Sequence, residues 1–142
     1  MQPQGSKRFQ IYTDGASRGN PGPAAIAVKI IDETGATVKK ASKFLGKRTN
    51  NEAEYEAVIA ALELAHNFTE GYIQCFLDSE LVTKQLNGEY TVRNPQLEKL
   101  WLRVRELQQH FQKVTFNHVS RSDKNIKEVD KLANNLLDNV LH

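Results

Sequence analysis

The sequence predicts an α/β domain built on a mixed five-stranded sheet flanked by helices. Three observations carry that expectation. Segments with strand-like alternation and longer segments with helical spacing follow one another in the order β-β-β-α-β-α-α-β-α. The first three strands are separated only by tight turns, which makes strands 1–3 an antiparallel meander. Strands 4 and 5 alternate with helices, so they enter the sheet in parallel through right-handed crossovers.

Each element has its own local signal. Residues 1–7 are polar, contain Pro3 and Gly5, and read as a flexible arm ahead of one domain spanning 8–142. Over residues 8–14, Phe9, Ile11 and Thr13 alternate with Gln10, Tyr12 and Asp14, a strand pattern that stops at Gly15. Gly19-Asn20-Pro21-Gly22-Pro23 is dense turn chemistry, after which residues 24–31 form a second strand. Thr34-Gly35 turns the chain into a third strand over 36–45. Thr49, Asn50 and Asn51 are all candidate N-caps for a helix running to about residue 67, whose acidic start suits the positive end of the helix dipole. A fourth strand covers 72–77, and a short helix over 79–86 closes at Asn87-Gly88. Asn94-Pro95 opens a helix that carries Leu97, Leu100, Trp101, Val104, Leu107 and Phe111 at helical spacing. Residues 114–119 make the fifth strand and 127–141 the last helix.

Composition narrows the function classes. A formal net charge of +2 excludes a polycationic tail but not a local basic surface. The lone Cys75 excludes a disulfide framework and a cysteine-rich zinc site, and inside an apolar strand it reads as inert core. No stretch approaches the roughly 18 apolar residues of a membrane span, and the start of the chain lacks an apolar signal core. A cytoplasmic, monomeric domain is expected. Trp101 and the aromatic positions near it fit a core stripe better than a base-stacking platform.

Four acids stand apart from the solvated charges. On the first helix Ala57, Val58, Ala61, Leu62 and Ala65 fall on one arc at 100° per residue, and Glu54 lies in the middle of that arc. Glu52, Glu56 and Glu63 cluster on the opposite side. A carboxylate aimed at a core is costly unless it is paired or holds a metal. Asp14 and Asp78 end strands and precede the small residues Gly15 and Ser79, where open α/β sheets build their sites, although a turn at Asp14-Gly15 or a cap at Asp78-Ser79 would look the same. Asp130 flanks the apolar stripe of the last helix, compatible with a cleft or with plain surface charge. Convergence of four carboxylates calls for a hard divalent cation, Mg²⁺ or Mn²⁺. Two such ions about 4 Å apart suit phosphodiester cleavage.

Four blocks resemble the type 1 ribonuclease H family. They are Thr13-Asp14-Gly15-Ala16-Ser17-Arg18-Gly19-Asn20-Pro21-Gly22-Pro23, then Thr49-Asn50-Asn51-Glu52-Ala53-Glu54, then Asp78-Ser79, then Val129-Asp130-Lys131-Leu132-Ala133-Asn134. The blocks occur in the family's order. The resemblance implies a ribonuclease H-like fold and a catalytic domain over 8–142. It also implies endonucleolytic hydrolysis of the RNA strand of RNA–DNA hybrids, leaving 5′-phosphate and 3′-hydroxyl ends. Its metal-binding catalytic acids fall on Asp14, Glu54, Asp78 and Asp130, served by two ions. Its contacts to the RNA strand fall on the Gly15 and Ala16 backbone, Asn20, Asn50 and Asn51, and its pocket for a DNA phosphate on Thr49 and Asn94. Amide side chains suit a 2′-hydroxyl that both donates and accepts. The A-form shape shared with double-stranded RNA leaves that duplex open as a second substrate.

Two departures from the family pattern stand out. Between Asp78 and Asn94 the chain lacks the extra Trp- and Lys-rich helix that many bacterial members use to grip the hybrid, and no N-terminal hybrid-binding domain is expected. Binding should therefore be weaker and more salt-sensitive. Before the last helix, where many members carry a histidine, the chain reads His118-Val119-Ser120-Arg121-Ser122-Asp123-Lys124-Asn125. The resemblance gives the auxiliary catalytic role to Arg121 in preference to His118.

Overall fold

A computed structural model describes residues 8–141. The arm expected over residues 1–7 lies outside the described residues. The elements are β1 (Arg8–Ser17), β2 (Gly22–Ile31), β3 (Thr37–Arg48), α1 (Asn50–Ala65), β4 (Tyr72–Leu77), α2 (Glu80–Leu86), α3 (Pro95–Gln108), β5 (Lys113–His118) and α4 (Lys124–Val140). The sheet order is β3-β2-β1-β4-β5. Both β1–β2 and β2–β3 are antiparallel, while β1–β4 and β4–β5 are parallel. The expected meander and the two parallel crossovers are both present.

Alternation along the central strands sends two sets of side chains to two different cores. Phe9, Ile11, Ile26, Val28 and Ile30 pack with α1, α2 and α3 on one face. Tyr12, Ala25, Ala27 and Ile31 face α4, where they meet Ile126, Val129, Ala133 and Leu137. Covered on both sides, β2 is a near-continuous apolar run, as a central strand should be. Lys29 interrupts its α4 face. This buried ammonium lies 3.1 Å from Glu128 Oε2 and donates to Asn125 Oδ1 at 2.9 Å, and Lys40 reaches the same Glu128 oxygen at 3.0 Å. Pairing is what makes a buried cation tolerable there. At the sheet margin β3 runs for 12 residues and carries Lys39, Lys40, Lys43 and Lys47.

The bland assignments hold for α3 and β4. Leu97, Val104, Leu107 and Phe111 are buried, and half-buried Trp101 packs on the same core while its indole N–H donates to the Gln85 carbonyl at 3.2 Å. Burial pushes the Cys75 thiol up to about 12, so it stays a neutral core group. The chain passes from α2 to α3 through residues 87–94 with no helix between them, the place where the extra basic helix was expected to be missing.

Several boundaries differ from the sequence expectation. β1 does not stop at Gly15 but continues to Ser17, because residues 15–17 keep their pairing with Ala24, Ala25 and Ile26. β3 extends to Arg48, since Gly22 and Pro23 extend β2 to meet it. α4 starts at Lys124 instead of 127, because the Asp123 carboxylate accepts from the Asn125 and Ile126 amides and caps a turn earlier.

Candidate active site

The carboxyl ends of β1 and β4 lie side by side in the parallel part of the sheet, and α1 begins beside them. Thr49 caps α1: its Oγ1 accepts from the Glu52 amide at 3.1 Å, and Glu52 Oε1 accepts from the Thr49 amide at 2.9 Å. This is a complete capping box, and of the three expected candidates it settles the cap on Thr49. Asn50 and Asn51 are left with other work. The first turn of α1 lies so close to β1 that a Cβ on Gly15 would sit 2.6 Å from the Glu54 amide nitrogen and closer still to the Ala53 carbonyl. Glycine is therefore dictated here by close approach, not by a turn. Across this contact the Gly15 amide donates to Glu54 Oε1 at 3.0 Å.

Glu54 is buried, as its place in the apolar arc requires, and its second oxygen, Oε2, has no hydrogen-bond partner. Asp14 is buried beside it, and Asp78 is half-buried at the end of β4. Each of Asp14, Glu54 and Asp78 offers an oxygen within 4.8 Å of the others. Asp130, on the exposed side of α4, stands outside that group of three but lines the same cavity, and its charge adds to the repulsion felt by Asp14. That cavity, of about 520 Å³, also takes in Asn50, Asn51 and Arg121.

Electrostatics follow from this crowding. Burial, then repulsion from Glu54 and Asp78, raises the pKa of Asp14 far above the carboxylate range. Burial and repulsion from Asp78 likewise raise Glu54, against the Gly15 hydrogen bond that lowers it. Asp78 is raised by burial and partly relieved by Arg121, whose Nε lies 3.7 Å from Asp78 Oδ2. The Arg121 side chain is 91% exposed, while His118 Nε2 sits 3.2 Å from the Asp78 backbone carbonyl. An orphaned buried oxygen among mutually repelling carboxylates is a donor set that fits a hard divalent cation. Asp14, Glu54 and Asp78 could hold one.

The remaining expected residues divide by location. Asn20 lies outside the cavity wall but its Oδ1 accepts from the Asn50 amide at 2.9 Å, tying the β1–β2 loop to the start of α1. Ala16 follows Gly15 on β1 without lining the cavity. Thr49 and Asn94 also stand off the cavity, as the caps of α1 and α3; Asn94 Oδ1 accepts from the Gln96 and Leu97 amides. The structure adds Ser79, Glu80, Ile126 and Lys127 to the wall. Lys127, one turn ahead of Asp130, was legible as a cation on the same helix face; Glu80 and Ile126 carried no local signal.

With this geometry in hand, known proteins give a consistent comparison. The family model described as reverse transcriptase-like matches residues 12–136. Ribonuclease HI of Halobacterium salinarum is 42% identical over 99% of this chain and 69% of its own length. The chain belongs to the type 1 ribonuclease H family. The crystal structure of RNase H1 from that halophilic archaeon superposes with a TM-score of 0.88, covering 93% of this ribonuclease H and 98% of that chain. LC11-RNase H1, solved in complex with an RNA/DNA hybrid, is 37% identical with a TM-score of 0.88 over 94% of this chain and 99% of its own. The bifunctional protein Rv2228c of Mycobacterium tuberculosis is 36% identical over 90% of this chain, which spans only 35% of that longer protein. Among the described residues of this ribonuclease H, no helix is long and apolar enough to cross a membrane.

Proposed function

We propose that this ribonuclease H cleaves the RNA strand of RNA–DNA hybrids endonucleolytically, using two divalent cations, Mg²⁺ or Mn²⁺, and leaving 5′-phosphate and 3′-hydroxyl ends. The observation that carries the proposal is the carboxylate cluster of Asp14, Glu54 and Asp78 with its unpartnered Glu54 oxygen. Asp14, Glu54, Asp78 and Asp130 would hold the cations, which when bound activate a water and stabilise the departing 3′-oxygen. The hybrid bound by LC11-RNase H1 supports the substrate class.

The chain's own groups supply binding and orientation. Asn50 and Asn51, on the cavity wall, offer amides to the RNA 2′-hydroxyl, while Asn20 steadies Asn50. The Gly15 and Ala16 backbone completes the RNA-strand contacts. Asn94 spends its oxygen on capping α3 and would use its amide N–H₂ to donate to a DNA-strand phosphate. Thr49, whose oxygen likewise accepts from its own helix, offers a hydroxyl proton to the same phosphate. Arg121, exposed above Asp78, serves as the auxiliary cation over the departing strand.

Labelled hybrid, duplex RNA and duplex DNA, incubated side by side with Mg²⁺ or Mn²⁺, test the proposal. Cleavage of the RNA strand of the hybrid is expected, duplex DNA should stay intact, and duplex RNA reports whether the A-form alone suffices. Asp78→Asn should lower the hybrid rate by at least about a hundredfold with the fold intact. Wild-type cleavage by that variant, or binding of the hybrid without any cutting, would refute the proposal.

A further inference from the structure

Of the four acids in the proposed centre, Asp130 is the one not fixed by burial. An exposed aspartate samples several rotamers, and ordering it costs entropy each time a ligand needs it. The structure contains a device that removes this freedom. On α4, Asp130, Asn134 and Asp138 recur every fourth residue and so share one face. The Asn134 amide nitrogen donates to Asp130 Oδ1 at 3.2 Å and to the Asp130 backbone carbonyl at 3.0 Å. Its amide oxygen accepts from Arg18 Nη2 at 3.3 Å, and the same guanidinium nitrogen reaches the Asn134 carbonyl at 3.2 Å and Asp138 Oδ1 at 2.7 Å. Only one orientation of the Asn134 amide satisfies both neighbours, since the guanidinium can only donate and the carboxylate can only accept. Arg18 is itself held in the β1–β2 loop, where its backbone amide donates to the Pro23 carbonyl at 2.8 Å.

We infer that Asn134 is a positioning residue for Asp130, and that Arg18 from the β1–β2 loop locks it through the Asn134 amide oxygen. The inference rests on the role proposed above for Asp130. It also accounts for two residues of the sequence blocks, Arg18 and Asn134, to which the proposed function gives no task. Through them the loop that carries Asn20 and the helix that carries Asp130 are set in one register, although 116 residues separate Arg18 from Asn134. Partners of this kind around cation-holding carboxylates commonly change affinity or activity by about 10- to 100-fold when removed.

The test compares the full chain with Asn134→Ala, Asn134→Asp, Arg18→Met, the Arg18→Met/Asn134→Ala pair, and Asp130→Ala. Three quantities are read: Mn²⁺ affinity by calorimetry without substrate, kcat and KM on a labelled hybrid, and the urea midpoint. Asn134→Ala should weaken Mn²⁺ binding and lower kcat by about tenfold, with KM changed by less than about twofold and an unchanged midpoint. Asn134→Asp should fall below Asn134→Ala, because it keeps the size but turns a donor into a charge that repels Asp130. Arg18→Met should have a smaller effect, and the double variant should be no worse than Asn134→Ala alone, as for residues acting in series. Wild-type Mn²⁺ affinity and kcat in Asn134→Ala, effects confined to the urea midpoint, or equal behaviour of Asn134→Ala and Asn134→Asp would overturn the inference. If Asp130→Ala abolishes cleavage while the Asn134 variants are silent, the positioning role alone fails. If Asp130→Ala cleaves at the wild-type rate, the proposed role of Asp130 falls and the positioning role falls with it.

Discussion

Gly15→Ala is the most exacting single change the structure offers, because two effects of opposite sign compete. Gly15 lies in strand conformation with no positive φ, so an alanine there is acceptable to the backbone. Replacing glycine at such a position normally stabilises by about 0.4–1 kcal/mol through the unfolded chain. Against this stands the Cβ, which would sit 2.6 Å from the Glu54 amide nitrogen when ordinary contact begins at 3.4 Å. The Ala53 carbonyl carbon is nearer still, at 2.3 Å, so the start of α1 must retreat by about 1.1 Å, and overpacking of this kind costs about 1–3 kcal/mol. The clash wins, and a net loss of about 1–2 kcal/mol is expected. The same retreat stretches the Gly15 N–H···Glu54 hydrogen bond and displaces Glu54 from Asp14 and Asp78. A misplacement approaching 1 Å costs about a hundredfold in rate. Urea unfolding should show a lower midpoint at unchanged slope, and single-turnover hybrid cleavage should fall by about two orders of magnitude. A variant as stable or more stable than wild type, cleaving at the wild-type rate, would show that the α1–β1 approach does not set the site.

Three further predictions concern protons and caps. Because burial and mutual repulsion raise Asp14 and Glu54 above neutrality, the cation-free cluster should still hold protons at neutral pH, which Mg²⁺ or Mn²⁺ must displace. Calorimetry in buffers of different ionisation enthalpy should report proton release on binding, shrinking as pH rises; buffer-independent heats would contradict the raised values. The stability these groups contribute is full below their unfolded-state pKa and is lost as pH rises through their raised folded values, so the cation-free melting temperature should fall from weakly acid to alkaline pH and saturating cation should flatten the decline. Thr49→Ala removes the cap of α1 and should cost about 1 kcal/mol in urea unfolding, and a value near zero would mean that the capping box is not formed in solution.

Much of this architecture was written in local pattern. Glu54 was legible because a carboxylate in the middle of an alanine- and leucine-lined arc must be hydrogen-bonded, paired or bound to a metal, and the strand-ending Asp14 and Asp78 were legible from the small residues that follow them. Thr49 as the cap was also within reach, since Thr49 and Glu52 have the spacing of a capping box. Gly15 misled, because a glycine ordinarily ends a strand and only the packing of α1 reveals why one is needed in mid-strand. The early start of α4 was hidden by its polar first turn, which offers no periodicity until Ile126 and Val129. Whether Asp130 faced a cleft or water could not be settled from helical angle, since that depends on how α4 docks on β2. Long-range pairs were beyond reach altogether: Lys29 with Asn125, and Arg18 with Asn134, join positions 96 and 116 apart with nothing local to announce them.

The long margin strand β3 has a consequence for life at high concentration. Among the described residues one side of its backbone has no neighbouring strand, so its amides and carbonyls form a ready template for a foreign chain. Four lysines along 12 residues mean that a second copy approaching edge to edge would bring like charges into register and lose its hydration for little return. The same ammonium groups that leave the rim repellent to its own kind leave it hospitable to polyanions, so crowding beside nucleic acid should favour dispersal over fibrous self-association.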